Sequence, residues 1–133
     1  MPKIFYTVIF QIVLLFSHNI YATDFSGTMT TESGYELEDV KLSINKKDIT
    51  LYRVKFARLM PIRIDVLIPD VTVQKKDSAL LLSGNNIIPF VDGKPYKSKI
   101  ATNLNGVIKG DSIEFKCLFG GKGLQYRGKK QPQ

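Results

Sequence analysis

The side chains that most often carry catalysis are scarce in this chain. It holds one His (His18), one Cys (Cys117) and no Trp. A serine nucleophile needs a base within reach to take its proton, usually an imidazole. His18 lies in a leading segment that reads as removed from the working protein. The usual Ser-His-Asp arrangement is therefore excluded there. A Ser–Lys pair stays formally open, because both residue types are abundant. Zinc needs several His, Cys or carboxylate ligands at set spacing, which one Cys and no retained His do not supply. Calcium takes oxygen ligands alone. The densest acidic cluster, Glu36-Leu37-Glu38-Asp39, lacks the spacing of an EF-hand loop and reads as a solvated turn. No cofactor is expected.

Two carboxylates at the right separation can hydrolyse a glycosidic bond. The chain has 12 acidic residues, and Asp65 is the one to follow. It sits beside Arg63 in an otherwise apolar stretch, and its simpler reading is an outward-facing surface pair. Cys117 alternates with Phe115 and Phe119, where a free thiol behaves as a small apolar residue. A reactive thiol would need exposure and a nearby cation. An odd Cys in an exported protein could also bridge two copies.

The net charge of +7 is diffuse. Lys46-Lys47, Lys75-Lys76, the Lys94, Lys97, Lys99 group and the Lys122, Arg127, Lys129, Lys130 group all fall in or beside turns. Lysines there keep strand edges apart. Nucleic acid would need a continuous basic patch with stacking aromatics, and none is expected as a partner. An acidic glycan or an anionic envelope surface suits the charge better.

The elements that position these residues begin after a leader. Lys3 precedes a 13-residue apolar run, Ile4 to Phe16, and a polar stretch that ends at Ala22. That is the pattern of a cleavable export signal. A spanning helix needs about 20 apolar residues, so no transmembrane segment is expected in the mature protein. With no Cys at the cleavage point, lipid attachment is not expected either. Residues 1–22 therefore read as a signal peptide and 23–133 as one domain, periplasmic or secreted. Loss of Lys3 lowers the charge from +7 to +6.

The remaining 111 residues show short stretches of period-two alternation, broken by Gly, Pro, Asn and Asp every 8–12 residues. Such spacing predicts an all-β sandwich or barrel. Short hairpin connections favour an antiparallel up-and-down order. Asn45 to Asp48, Gly110-Asp111 and Gly120 to Gly123 read as turns, and the phase slips near Tyr52-Arg53 as at a bulge. Ile62, Ile64, Val66 and Ile68 read as one face of a strand opened by Pro61.

Four strings add a resemblance: Gly27-Thr28, Met60-Pro61-Ile62, the run Gly106-Val107-Ile108-Lys109-Gly110-Asp111-Ser112-Ile113, and Tyr126-Arg127-Gly128-Lys129. Together they resemble the calycin-like β-barrel family of exported bacterial proteins, which is similar to lipocalins. The resemblance covers nearly the whole mature chain. It implies an antiparallel up-and-down barrel of about eight strands with an apolar interior, and it implies no catalytic residue. The lipocalin Gly-x-Trp signature is missing.

The expectation is a non-enzymatic binding module. Its barrel interior would hold a small apolar or amphipathic ligand, lined by Leu42, Ile44, Val54, Phe56, Ile64, Val66, Leu82, Phe115 and Phe119. The alternative is a filled barrel acting on a protein or envelope partner through loops 84–99 and 120–123, as an inhibitor or interaction domain. A carboxylate hydrolase is a third reading. The volume of the interior separates the first two.

Overall fold

The computed structural model describes residues 23–131; the segment read as a signal peptide lies outside the described residues. The described chain is all β. The strands are β1 (Thr23–Thr31), β2 (Glu36–Asn45), β3 (Asp48–Val54), β4 (Ile64–Ile68), β5 (Thr72–Lys76), β6 (Ala79–Gly84), β7 (Phe90–Val91), β8 (Lys94–Pro95), β9 (Ala101–Lys109), β10 (Ser112–Phe119) and β11 (Lys122–Lys130). They form one antiparallel sheet in the order β5-β6-β9-β10-β11-β1-β2-β3-β4-β7-β8.

The covalent chain forces this sheet to curl. β4 and β5 stand near opposite ends of the strand order, eight strand steps apart. Laid flat, that is roughly 38 Å at the usual spacing. Yet only Pro69, Asp70 and Val71 join them, a reach of about 14 Å from Ile68 to Thr72. The ends must therefore approach, and the sheet bends into a half-barrel. The crossing is tied down where it passes the β2–β3 turn. Val71 N–H donates to the Lys47 carbonyl at 2.8 Å, and Asp70 N–H donates to Asp48 Oδ1 at 3.2 Å. A second stitch joins Ile87 and Ala101, which exchange two backbone bonds of 2.8 Å.

Two parts of the expected architecture need correcting. The described residues form eleven strands rather than about eight, and β7 and β8 have only two residues each. The order is up-and-down through β1–β4 and again through β9–β11. Between them the β5–β6 hairpin joins β9, and β7 joins β4. β5 and β8 remain as edges, so the seam is held by short connections rather than by a hydrogen-bonded ladder. β5 carries Lys75 and Lys76, charges that disfavour pairing with another chain.

Three bulges explain why simple alternation fails. At Asp39, Arg53 and Asn103 the backbone turns left-handed, with φ of 57°, 53° and 52°. The ladder shifts register beside each one. An extra residue in a strand rotates everything after it by one face. Leu37 and Val40, Leu51 and Val54, and Ala101 and Leu104 are each three apart. All six are nevertheless buried on the inner face.

The core is a single cluster that includes Phe25, Met29, Phe115 and Tyr126, and it contains no buried charged residue among those described. Phe115 and Tyr126 stack with ring centres 5.9 Å apart. Tyr126 Oη donates to the Val40 carbonyl at 2.8 Å, beside the Asp39 bulge. The ring reaches across because β11 has a glycine two residues on. A Cβ at Gly128 would lie 2.8 Å from both Tyr126 Cε2 and Oη. Burying a phenol is costly unless the hydroxyl is bonded, and this one bond resolves it.

The expected strand from Pro61 is also corrected. β4 starts at Ile64, and Ile62 is 62% exposed in the preceding loop. The string Met60-Pro61-Ile62 thus belongs to the loop tip, not to a strand.

Candidate functional site

The nine expected lining residues all point inward or pack against the core, but they do not surround one cavity. Leu42, Ile44, Val54, Val66, Leu82, Phe115 and Phe119 are buried; Phe56 and Ile64 are partly buried against them. Ile44 and Leu82 border a gap of about 40 Å³ between β1, β2, β5, β6 and β9, closed by Phe25, Val73, Leu80 and Ile108. That is about the volume of one water, whereas small-ligand pockets run from about 300 to 1,000 Å³.

Among several surface clefts of that size, one lies at an end of the sheet. A cleft of about 410 Å³ opens between the β1–β2 turn, the β3–β4 loop, the segment before β9 and the β10–β11 turn. Its floor is apolar. Phe56 and Phe119 stack there with ring centres 5.1 Å apart, and Leu124 lies beside them. Its rim carries Glu32, Ser33, Lys99 and Lys122.

Local sequence fixes that rim. Gly120 and Gly121 adopt φ of 60° and 84°, the left-handed pair of a two-residue hairpin turn. With no side chain on Gly120, Lys99 lies against the turn; a Cβ there would sit 2.5 Å from Lys99 Cδ. Gly120 N–H also donates to the Ile100 carbonyl at 3.0 Å. Glu32 is tied to the same turn: its N–H donates to the Gly123 carbonyl at 2.9 Å, and its Oε1 accepts from Gly123 N–H at 3.3 Å. One oxygen of the carboxylate is therefore engaged by the backbone. Neither Lys99 nor Lys122 has an ion-pair partner among the described residues. The arrangement can take an apolar group on the floor and an anionic group at the rim.

The other candidates have structural roles. Asp65 Oδ1 accepts from Arg53 N–H at 2.8 Å, and Arg63 Nη1 donates to the Arg53 carbonyl at 3.3 Å. Asp65 and Arg63 are exposed, as expected, but the bonds they make are to the left-handed Arg53 bulge. Asp92 Oδ1 accepts from Asp65 N–H at 2.9 Å. No three His, Cys, Asp or Glu side chains among the described residues converge on a metal-sized point. Cys117 is a buried free thiol. Burial pushes it up to about 12, so at neutral pH it stays protonated and a poor nucleophile.

Two features escaped the sequence reading. Ser43-Ile44-Asn45-Lys46 has Ser-x-x-Lys spacing. That spacing brings two side chains together on a helix, whereas a strand sends residues three apart to opposite faces. Ser43 lies on β2, and its Oγ is 3.0 Å from Tyr52 Oη. Lys46 lies in the β2–β3 turn with φ of 60°. The second feature is the end cleft. Phe56 and Phe119 were expected along the barrel axis, but nothing in the spacing says that they meet at its mouth. No family model, curated protein or solved structure matches the chain.

Proposed function

We propose that this chain is a non-enzymatic binding module for a small amphipathic anion, held in the end cleft rather than along the barrel axis. One observation carries the reading: a cleft of about 410 Å³ whose floor is the Phe56–Phe119 stack and whose rim holds Lys99 and Lys122. Apolar burial on the floor supplies affinity, and a charge at the rim sets orientation. The calycin-like resemblance fits this reading, with the ligand moved from the axis to the mouth. Export completes it, since the pattern of residues 1–22 is that of a cleaved signal.

The test is native mass spectrometry of the chain recovered from an exporting host. A medium-chain fatty acid and the matching alcohol serve as probes. The expected result is a one-to-one adduct that favours the acid, with Lys99→Gln/Lys122→Gln reducing that preference about tenfold. No adduct with either probe overturns the reading. The same spectrum reads the N-terminus. A chain beginning within a few residues of Thr23 supports export with cleavage, and one beginning at Met1 overturns it.

A second reading, an interaction domain acting through its loops, draws on the buried apolar core. Parts of both expected loops, Lys99 and Gly120 to Gly123, come together at this same end.

A further inference from the structure

The nine residues between β3 and β4, Lys55 to Arg63, run KFARLMPIR. Leu59 is 92% exposed and Ile62 is 62% exposed, the two highest values among the large hydrophobic residues described. A single exposed leucine is ordinary on a protein surface. Here the two flank Met60 and Pro61, so the apolar residues form one continuous tip.

The tip is braced. Met60 N–H donates to the Ala57 carbonyl at 3.2 Å, and Lys55 Nζ donates to the Arg58 carbonyl at 3.1 Å. Arg63 spans the base to the Arg53 carbonyl, and Phe56 is rooted on Phe119. The apolar side chains are therefore presented outward by a loop whose other residues hold it in place.

Within the loop the charge has one sign. Lys55, Arg58 and Arg63 lie within the loop and Arg53 at its base, with no acidic residue between Val54 and Ile64. Lys99 and Lys122 stand on the same end, across the cleft that Phe56 and Ala57 share with them.

We infer that this loop docks the protein on an anionic lipid bilayer, with Leu59 and Ile62 entering the interface and the cations meeting the headgroups. Aliphatic residues on a projecting tip can bury themselves among acyl chains, and a collar of Lys and Arg is drawn to a negative leaflet. A protein partner fits less well. Protein interfaces centre on broad patches anchored by aromatic residues, and the tip offers Leu, Met, Pro and Ile. The inference stands apart from the ligand reading, because neither Leu59 nor Ile62 borders the cleft.

Vesicle co-flotation tests it, using the chain recovered from an exporting host and no added amphiphile. The vesicles are phosphatidylcholine alone or with a third of phosphatidylglycerol. The expected result is binding to the anionic vesicles only, weakened by salt. Leu59→Ser/Ile62→Ser should lower the partition coefficient about tenfold or more, and Arg58→Gln several-fold. The thermal melt of each variant shows that it is folded, and both positions project from the body. Absence of binding to anionic vesicles overturns the inference, as does binding that the double variant leaves unchanged. So does capture of an envelope protein that depends on Leu59 and Ile62 without vesicle binding, which would make the tip a protein-docking element.

Discussion

Along the β10–β11 wall, Phe115 and Tyr126 are 1% and 0% exposed; on the β3–β4 loop, Leu59 is 92% exposed. The wall residues belong to strands paired on both sides, so every inward side chain meets others from across the barrel. The loop residues leave the sheet at the Arg53 bulge and return at Ile64, with nothing packed over their tip. Large apolar side chains thus serve two ends. In the wall they hold the fold, and at the loop end they are free to meet something else. Phe56 and Phe119 stand between these conditions, packed against the core on one side and open to the cleft on the other.

If that contrast is right, the wall and the tip should answer truncation very differently. Phe115→Ala removes a fully buried ring from the stack with Tyr126 and should cost about 3–5 kcal/mol in denaturant unfolding. Leu59→Ser should stay within about 0.5 kcal/mol of the parent in the same experiment. A loss at Leu59 approaching that at Phe115 would mean that the tip is packed in solution, which would break the comparison.

The wall also has a pH signature. Burial raises Cys117 to about 12 and pushes Tyr126 upward as well. An unfolded thiol titrates near about 8.5. Above that pH the unfolded chain releases a proton that the folded chain keeps, so stability falls as pH rises. It is fully present below about 8.5 and is lost progressively toward 12. Cys117→Ala should flatten this alkaline slope, leaving the part due to Tyr126. A thiol reagent at pH 8 should modify the native chain no faster than global unfolding allows. Rapid modification under native conditions would place Cys117 nearer the surface.

Much of the wall was legible in the sequence, because period two runs unbroken through Ile113, Phe115, Cys117 and Phe119 and the turns on either side are rich in glycine. The burial of Leu42, Ile44, Phe115 and Phe119 followed from the same alternation. What could not be read was three-dimensional. The bulge residues Asp39 and Asn103 are polar residues of ordinary kind, and their left-handed backbone leaves no mark in the spacing. The opening of β4 was misplaced because Ile62 continues the two-residue phase of Ile64, Val66 and Ile68, although no strand pairs with it. Alternation tells which side chains point inward, but their volumes against the barrel's radius decide whether a cavity remains. The seam depends on a three-residue connection whose consequence appears only once strand order is known.

The most local effect expected lies where wall and loop join. Asp65 Oδ1 accepts the Arg53 N–H that the bulge frees from the β3–β4 ladder, and Arg63 takes the Arg53 carbonyl. The two side chains thus replace ladder bonds at the point where the chain leaves the sheet. Asp65→Ala should cost about 1 kcal/mol, the net worth of one exposed charge-assisted hydrogen bond. Its clearer trace should be local: faster exchange of the Arg53 amide, with the amides of Ile49 and Leu51 unchanged. If Asp65→Ala instead quickened exchange across β3 as a whole, the bulge would belong to the cooperative wall. The line between the part that holds the fold and the part that presents the loop would then fall beyond Arg53, closer to the tip.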